Sequence, residues 1–102
     1  MRYRYYHTII NWSDKASSPS NYLNHIRSEF YDVFKIEGAF HPTSDSSLGH
    51  IHVLIKSERS VDPALISAIF AVPLSSLQPV LGLVAYRRWE KYIIGAKGAR
   101  RI

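Results

Sequence analysis

Apolar and polar positions change period several times along the chain, and each change marks an element. Tyr5 to Trp12 is dense in aromatic and β-branched residues and predicts a first strand. After the polar run Ser13 to Ser18, the pattern predicts a helix capped by Ser20 and running to about Val33. Within it, Leu23, Ile26, Phe30 and Val33 or Phe34 recur at spacings of three and four. Lys35 to Pro42 predicts a second strand, residues 43–49 carry turn chemistry, and His50 to Lys56 predicts a third strand able to form a hairpin with the second. Asp62 and Pro63 open a second helix, as cap and first helical residue, which carries Leu65, Ile66, Ile69 and Phe70 and is stopped by Pro73. Leu77 to Val84 predicts a buried last strand, with Pro79 withholding a donor near its start. Ala85 to Ile94 predicts a third helix, with Gly95 suited to the position after its end. The order βαββαβ plus a helix predicts an α+β fold. It suits a ferredoxin-like, RRM-like antiparallel sheet with two helices on one face and an additional C-terminal helix.

A chain of 102 residues is expected to form a single domain, residues 1–102. Its 46% hydrophobic and 21% charged content excludes a disordered tail or a fibrous repeat. No apolar run approaches the roughly 18–20 residues that span a bilayer, and the start Met1-Arg2-Tyr3-Arg4 lacks the apolar core of a secretion signal. Zero cysteines remove disulfides, thiolate catalysis and cysteine zinc sites. The expectation is an intracellular protein, not secreted and with no membrane partner.

Charge changes the picture once it is located. Seven Lys/Arg balance seven Asp/Glu over residues 1–84, while residues 85–102 hold Arg87, Arg88, Lys91, Lys97, Arg100 and Arg101 against Glu90 alone. The whole net charge of +5 therefore sits in the last eighteen residues. Such a segment favours a polyanion, because cations that neutralise phosphates release condensed counterions. A merely solubilising tail would show the same count.

The third strand carries the first chemical signal, Gly49-His50-Ile51-His52-Val53. Strand side chains alternate, so His50 and His52 share a face with Cα atoms about 6.6 Å apart, close enough for two imidazoles to converge on one ion. A hairpin brings His41 near the pair as a third ligand, and Asp45 too if its loop folds back; Glu37, further along its strand, is a weaker additional ligand. His7 and His25 fall outside this cluster and read as structural. The second signal is the helix Tyr86-Arg87-Arg88-Trp89-Glu90-Lys91-Tyr92. Tyr92 is a competent nucleophile for phosphoryl transfer when a metal or cation assists its phenol. Arg88, four residues back, shares its face and can steer a phosphate there. Tyr86 is the alternative nucleophile, but six residues turn a helix by roughly 600°, so the two tyrosines diverge.

Three motifs stand in one order: Tyr6-His7-Thr8-Ile9-Ile10-Asn11, then His50-Ile51-His52, then the late helix with Tyr92. Together they resemble the HUH endonuclease domain of rolling-circle replication initiator (Rep) proteins, in the single-tyrosine class of small circular single-stranded DNA viruses and related plasmids. The resemblance covers nearly the whole chain. It implies that His50 and His52 are metal ligands, that His41 matches the third ligand upstream, and that Tyr92 is the catalytic nucleophile. It ties Thr8 to Asn11 to DNA recognition, and the basic residues Arg87, Arg88, Lys91 and Lys97 to the DNA backbone. One departure stands out. Many viral members have lysine three residues after the tyrosine, where this chain has Gly95, with Lys97 beyond it and Lys91 before it.

The activity so implied is sequence-specific nicking and joining of single-stranded DNA, at an origin stem-loop, through a covalent 5′-phosphotyrosine, initiating rolling-circle replication. Manganese or magnesium is the family's ion, although three imidazoles by themselves suit zinc as well. Tyr5, Tyr6 or Trp12 could offer stacking surfaces for bases. A monomer acting in the host nucleus or cytoplasm is expected. No Gly-Lys-Ser/Thr phosphate loop is present, so no helicase domain accompanies the nuclease in this sequence. Two other readings use the same residues: a non-catalytic single-stranded RNA- or DNA-binding module, and a single-strand transposase of the same superfamily. A small zinc hydrolase is less well served, since no carboxylate stands at a telling distance from the histidines to act as general base.

Overall fold

The computed structural model describes residues 1–12, 18–42, 49–95 and 98–102. Among them the elements run β1 (Tyr3–Trp12), α1 (Pro19–Glu29), β2 (Phe34–Pro42), β3 (Gly49–Val61), α2 (Pro63–Phe70), a 3₁₀ turn (Leu74–Ser76), β4 (Gln78–Pro79), α3 (Leu83–Gly95) and β5 (Arg100–Arg101). The fold is α+β: a five-stranded antiparallel sheet in the order β4-β1-β3-β2-β5, with three helices. This is compatible with the expected ferredoxin-like sheet and C-terminal helix. No described helix is long and apolar enough to cross a membrane.

Local chemistry explains most boundaries. Ser18, not Ser20, caps α1, its hydroxyl accepting from the Asn21 N–H, and Pro19 then takes the first helical position. Asp62 caps α2 as expected, accepting from the Ala64 N–H at 2.8 Å. That helix ends at Ala71 in the left-handed conformation (φ 54°) ahead of Pro73. Other expectations shift as well: α1 stops at Glu29, short of the expected end near Val33. The last strand shrinks to Gln78–Pro79, because Pro79 lacks a donor and the chain turns immediately into the longer helix α3. The third strand extends to Val61, since its far end finds a partner in Tyr3 across a register shift at Arg4. There the Arg4 guanidinium donates to the Ser57 carbonyl and the Ser57 hydroxyl returns a bond to the Arg4 carbonyl.

Strand alternation sorts the side chains into two cores. Tyr6, Trp12, Phe34, Ile36, Phe40, Ile51, Val53 and Ile55 pack beneath Leu23 and Ile26 of α1 and Ile66 and Phe70 of α2. On the opposite face, Tyr5, Ala39 and Leu54 pack with Val80 beneath Tyr86 and Ile93 of α3. Burying an aliphatic or aromatic side chain this completely stabilises by about 1.5–3 kcal/mol, so both helical layers are anchored to the central strand β3. Helix α1 comes so close to β2 that a β-carbon at Gly38 would overlap Leu23 Cδ1. The third helix therefore covers the face that α1 and α2 leave open, and that face carries His50 and His52.

Candidate metal centre and tyrosine

The register of the central strands assembles the site. His41 lies directly opposite His50 on the neighbouring strand, and Ala39 opposite His52. On the other side, Asn11 lies opposite His50 and Ile9 opposite His52. Gly49 makes the tight pairing at this end possible, because a β-carbon there would overlap the His41 carbonyl oxygen. One ring nitrogen from each of His41, His50 and His52 lies within 4.8 Å of the other two. Nitrogens this close are within reach of one ion, which would draw them nearer to one another.

The outer bonds of these rings suit ligation. His41 Nε2 lies 3.0 Å from the Ile93 carbonyl oxygen. A carbonyl can only accept, so His41 carries its proton on Nε2 and keeps the Nδ1 lone pair available. His52 Nδ1 lies 2.9 Å from His7 Nε2, which leaves His52 Nε2 to face the cluster. Burial, followed by the charges of His41, His7 and His50, pushes His52 down to about 4. Burial and His41 lower His50 as well. Both rings are therefore neutral at pH 7, the form that binds a metal. The three histidines can hold a metal ion on this chemistry.

Helix α3 seats a tyrosine beside them. Tyr86 and Ile93 form its buried stripe; Tyr92, one residue off that stripe, is 62% exposed. Its ring stands edge-on to His52 with centroids 6.4 Å apart, and edge-on to Trp89 at 5.8 Å. Ala85, Arg88, Trp89 and Tyr92 line an apolar depression of about 370 Å³ on this helix. Tyr86 is removed from any substrate. It is buried against Tyr5, and its hydroxyl donates to Glu37 Oε2 at 3.1 Å. Burial and the Glu37 charge push its phenol well above the ordinary range.

Other expected site residues lie apart from the imidazole cluster. Glu37 is buried two pairs along β2 from His41, where it bonds Tyr86 and Glu90 and lies 3.4 Å from Lys35 Nζ. Burial alone would raise its carboxyl, but those three partners hold it below the usual range, and Glu90 is raised chiefly by the bond they share. Glu37 is thus committed to holding α3 on the sheet, not to the histidines. Lys91 faces the same cleft as Glu37 and Glu90, whereas Arg88 stands with Tyr92. Thr8 is buried on the other sheet face, donating to the Ser76 carbonyl; Asn11 is exposed on the histidine face. Tyr5, Tyr6 and Trp12 are core residues, so bases have no stacking platform there. Asp45 and Lys97 lie outside the described residues. His25 pairs with Glu29 on the surface of α1 at 3.1 Å.

His7 stays outside the three-histidine cluster, as expected, but it touches that cluster, which sequence reasoning missed. It is buried, hydrogen-bonded to His52, and stacked on Trp89 with centroids 4.0 Å apart and planes 17° from parallel. Burial drives it down to about 4, partly offset by a bond to Gln78. Its position in β1, two before Ile9, puts it on the histidine face; only the register with β3 reveals that. No family model, curated protein or solved structure matches the chain.

Proposed function

We propose that this protein nicks and rejoins single-stranded DNA in a metal-dependent reaction through a tyrosine, as an HUH-type nuclease of the replication-initiator kind. One observation carries the reading: an exposed tyrosine, Tyr92, held against a cluster of three metal-competent imidazoles. His41, His50 and His52 would hold the ion, manganese or magnesium on the resemblance and zinc by imidazole chemistry alone. When bound, a divalent ion polarises a non-bridging phosphate oxygen and stabilises the charge that develops there.

The chain's own groups do the rest. Arg88, on the face of α3 that carries Tyr92, draws the phosphate to that face. The Tyr92 hydroxyl oxygen attacks phosphorus in line; the bond from phosphorus to the 3′-oxygen breaks, and the phenolic proton passes through solvent to the departing 3′-oxyanion. The products are a 5′-phosphotyrosine and a free 3′-hydroxyl. Because a phosphodiester replaces a phosphodiester, the step reverses when a 3′-hydroxyl returns, which is strand joining. Arg87 and Lys91, exposed along α3, add backbone charge.

A labelled single-stranded oligonucleotide with an origin-type stem-loop, incubated with Mn²⁺ and run on a denaturing gel, tests this. A covalent band is expected, lost in Tyr92→Phe and with chelator. Tight binding without any band, across several oligonucleotides, would instead favour the non-catalytic binding module.

A further inference from the structure

The His52 side chain does not stand alone. His7 on β1 pairs across the sheet with Gln78 of β4, whose side chain favours a proton on the His7 ring. His7 Nε2 meets His52 Nδ1 at 2.9 Å, and the opposite side of the His7 ring lies flat on Trp89. From the exposed Gln78 at the sheet edge, the buried His7 and His52 thus form a file leading to the imidazole cluster, braced by the helix that carries Tyr92.

Two proton arrangements satisfy this file. In one, His52 Nδ1–H donates to His7 Nε2, and His7 carries its own proton on Nδ1. In the other that bond is reversed, and His52 carries its proton on Nε2, where it would block a metal. Only the first arrangement leaves a lone pair on His52 Nε2, and it matches His41, whose outward Nε2–H donates to the Ile93 carbonyl. Ligating histidines are generally fixed in this way by an acceptor on the second nitrogen.

We propose that His7 is a positioning residue for the metal centre: as the acceptor for His52 Nδ1–H, it selects the His52 tautomer and ring orientation that present Nε2 to the ion. This rests on the metal reading of the same histidines, and not on the nicking chemistry. A phenylalanine would keep the ring on Trp89 and the buried volume, but it accepts no such bond. A glutamine places its amide oxygen near the position of His Nε2 and restores the acceptor.

The test has two readouts, neither involving DNA. Nitrogen-15 NMR of the imidazoles in metal-free protein should show His52 protonated on Nδ1 in the wild type and on Nε2 in His7→Phe. Calorimetric titration with Mn²⁺ should show His7→Phe binding about 10–100-fold more weakly, with His7→Gln recovering most of the loss. Should His7→Phe fail to fold, the wild-type tautomer and the His7→Gln titration still decide. A wild-type His52 protonated on Nε2, or His7→Phe taking up Mn²⁺ as tightly as wild type, would overturn the proposal, as would His7→Gln binding as weakly as His7→Phe in folded protein. Wild-type protein that binds no Mn²⁺ overturns it together with the metal reading. Mn²⁺ binding that depends on His7, with no covalent DNA adduct, supports it and sinks only the nuclease.

Discussion

Acid should weaken this fold well above the pH at which carboxylates titrate, and the cause lies in the site. His7 and His52 are both held near 4 by burial, against an ordinary value of about 6.5. Between those values the unfolded chain binds protons that the folded chain refuses, so stability falls as pH falls and is fully present only above about 6.5. From pH 7 to pH 5, a single histidine shifted this far costs on the order of 2 kcal/mol, and the two together on the order of 4. His50, lowered in the same direction, adds to the loss. Glu90 works the other way, because its raised carboxyl takes up a proton more readily folded than unfolded. For a domain of this size, 4 kcal/mol corresponds to a fall of roughly 20 °C in Tm. Urea unfolding followed by tryptophan fluorescence, with chelator present throughout, measures the effect without interference from metal. His7→Phe should lose about half of the pH dependence, since one of the two reluctant bases is gone. Equal stability at pH 7 and pH 5, or an unchanged slope in His7→Phe, would refute the reasoning.

Two further substitutions separate the framework of α3 from its chemistry. Tyr86→Phe removes the donor to Glu37 Oε2 and leaves a buried carboxylate short of a partner. It should cost about 1–3 kcal/mol in urea unfolding while the folded protein still forms any Tyr92 adduct. Ile93→Ala opens a hole between α3 and Leu54, both fully buried, and should lower stability by about 2–5 kcal/mol in the same assay.

Much of the architecture can be read without coordinates because it is local. The Asp62-Pro63 opening of α2 and the spacing of three between Leu23 and Ile26 depend on neighbours within one or two helical turns. So does the shared face of His50 and His52, which follows from a strand's period of two. The boundaries that moved are those where distant segments intervened: β3 outran its predicted end because Tyr3 paired with Val61. Of the predicted last strand only Gln78–Pro79 pairs, and its end, Leu83 and Val84, begins α3, whose apolar positions Tyr86 and Ile93 found a sheet face to cover.

What the sequence by itself determined is which elements form, that two histidines point the same way, and that the entire net charge falls on the last eighteen residues. What only the tertiary structure decided is how these meet. That charge divides: Arg87, Arg88 and Lys91 lie on α3, while Arg100 and Arg101 lie on an edge strand beyond β2, with the Arg100 guanidinium over the Phe40 ring. The side of the sheet taken by α3 decides that Tyr92 stands beside His52 while Tyr86 is sealed against Glu37. Strand register decides that His41 faces His50 and that His7 reaches His52. Periodicity tells each residue its face, but a side-chain contact between positions 7 and 52 is chosen by the packing of the whole sheet, and no local pattern encodes it.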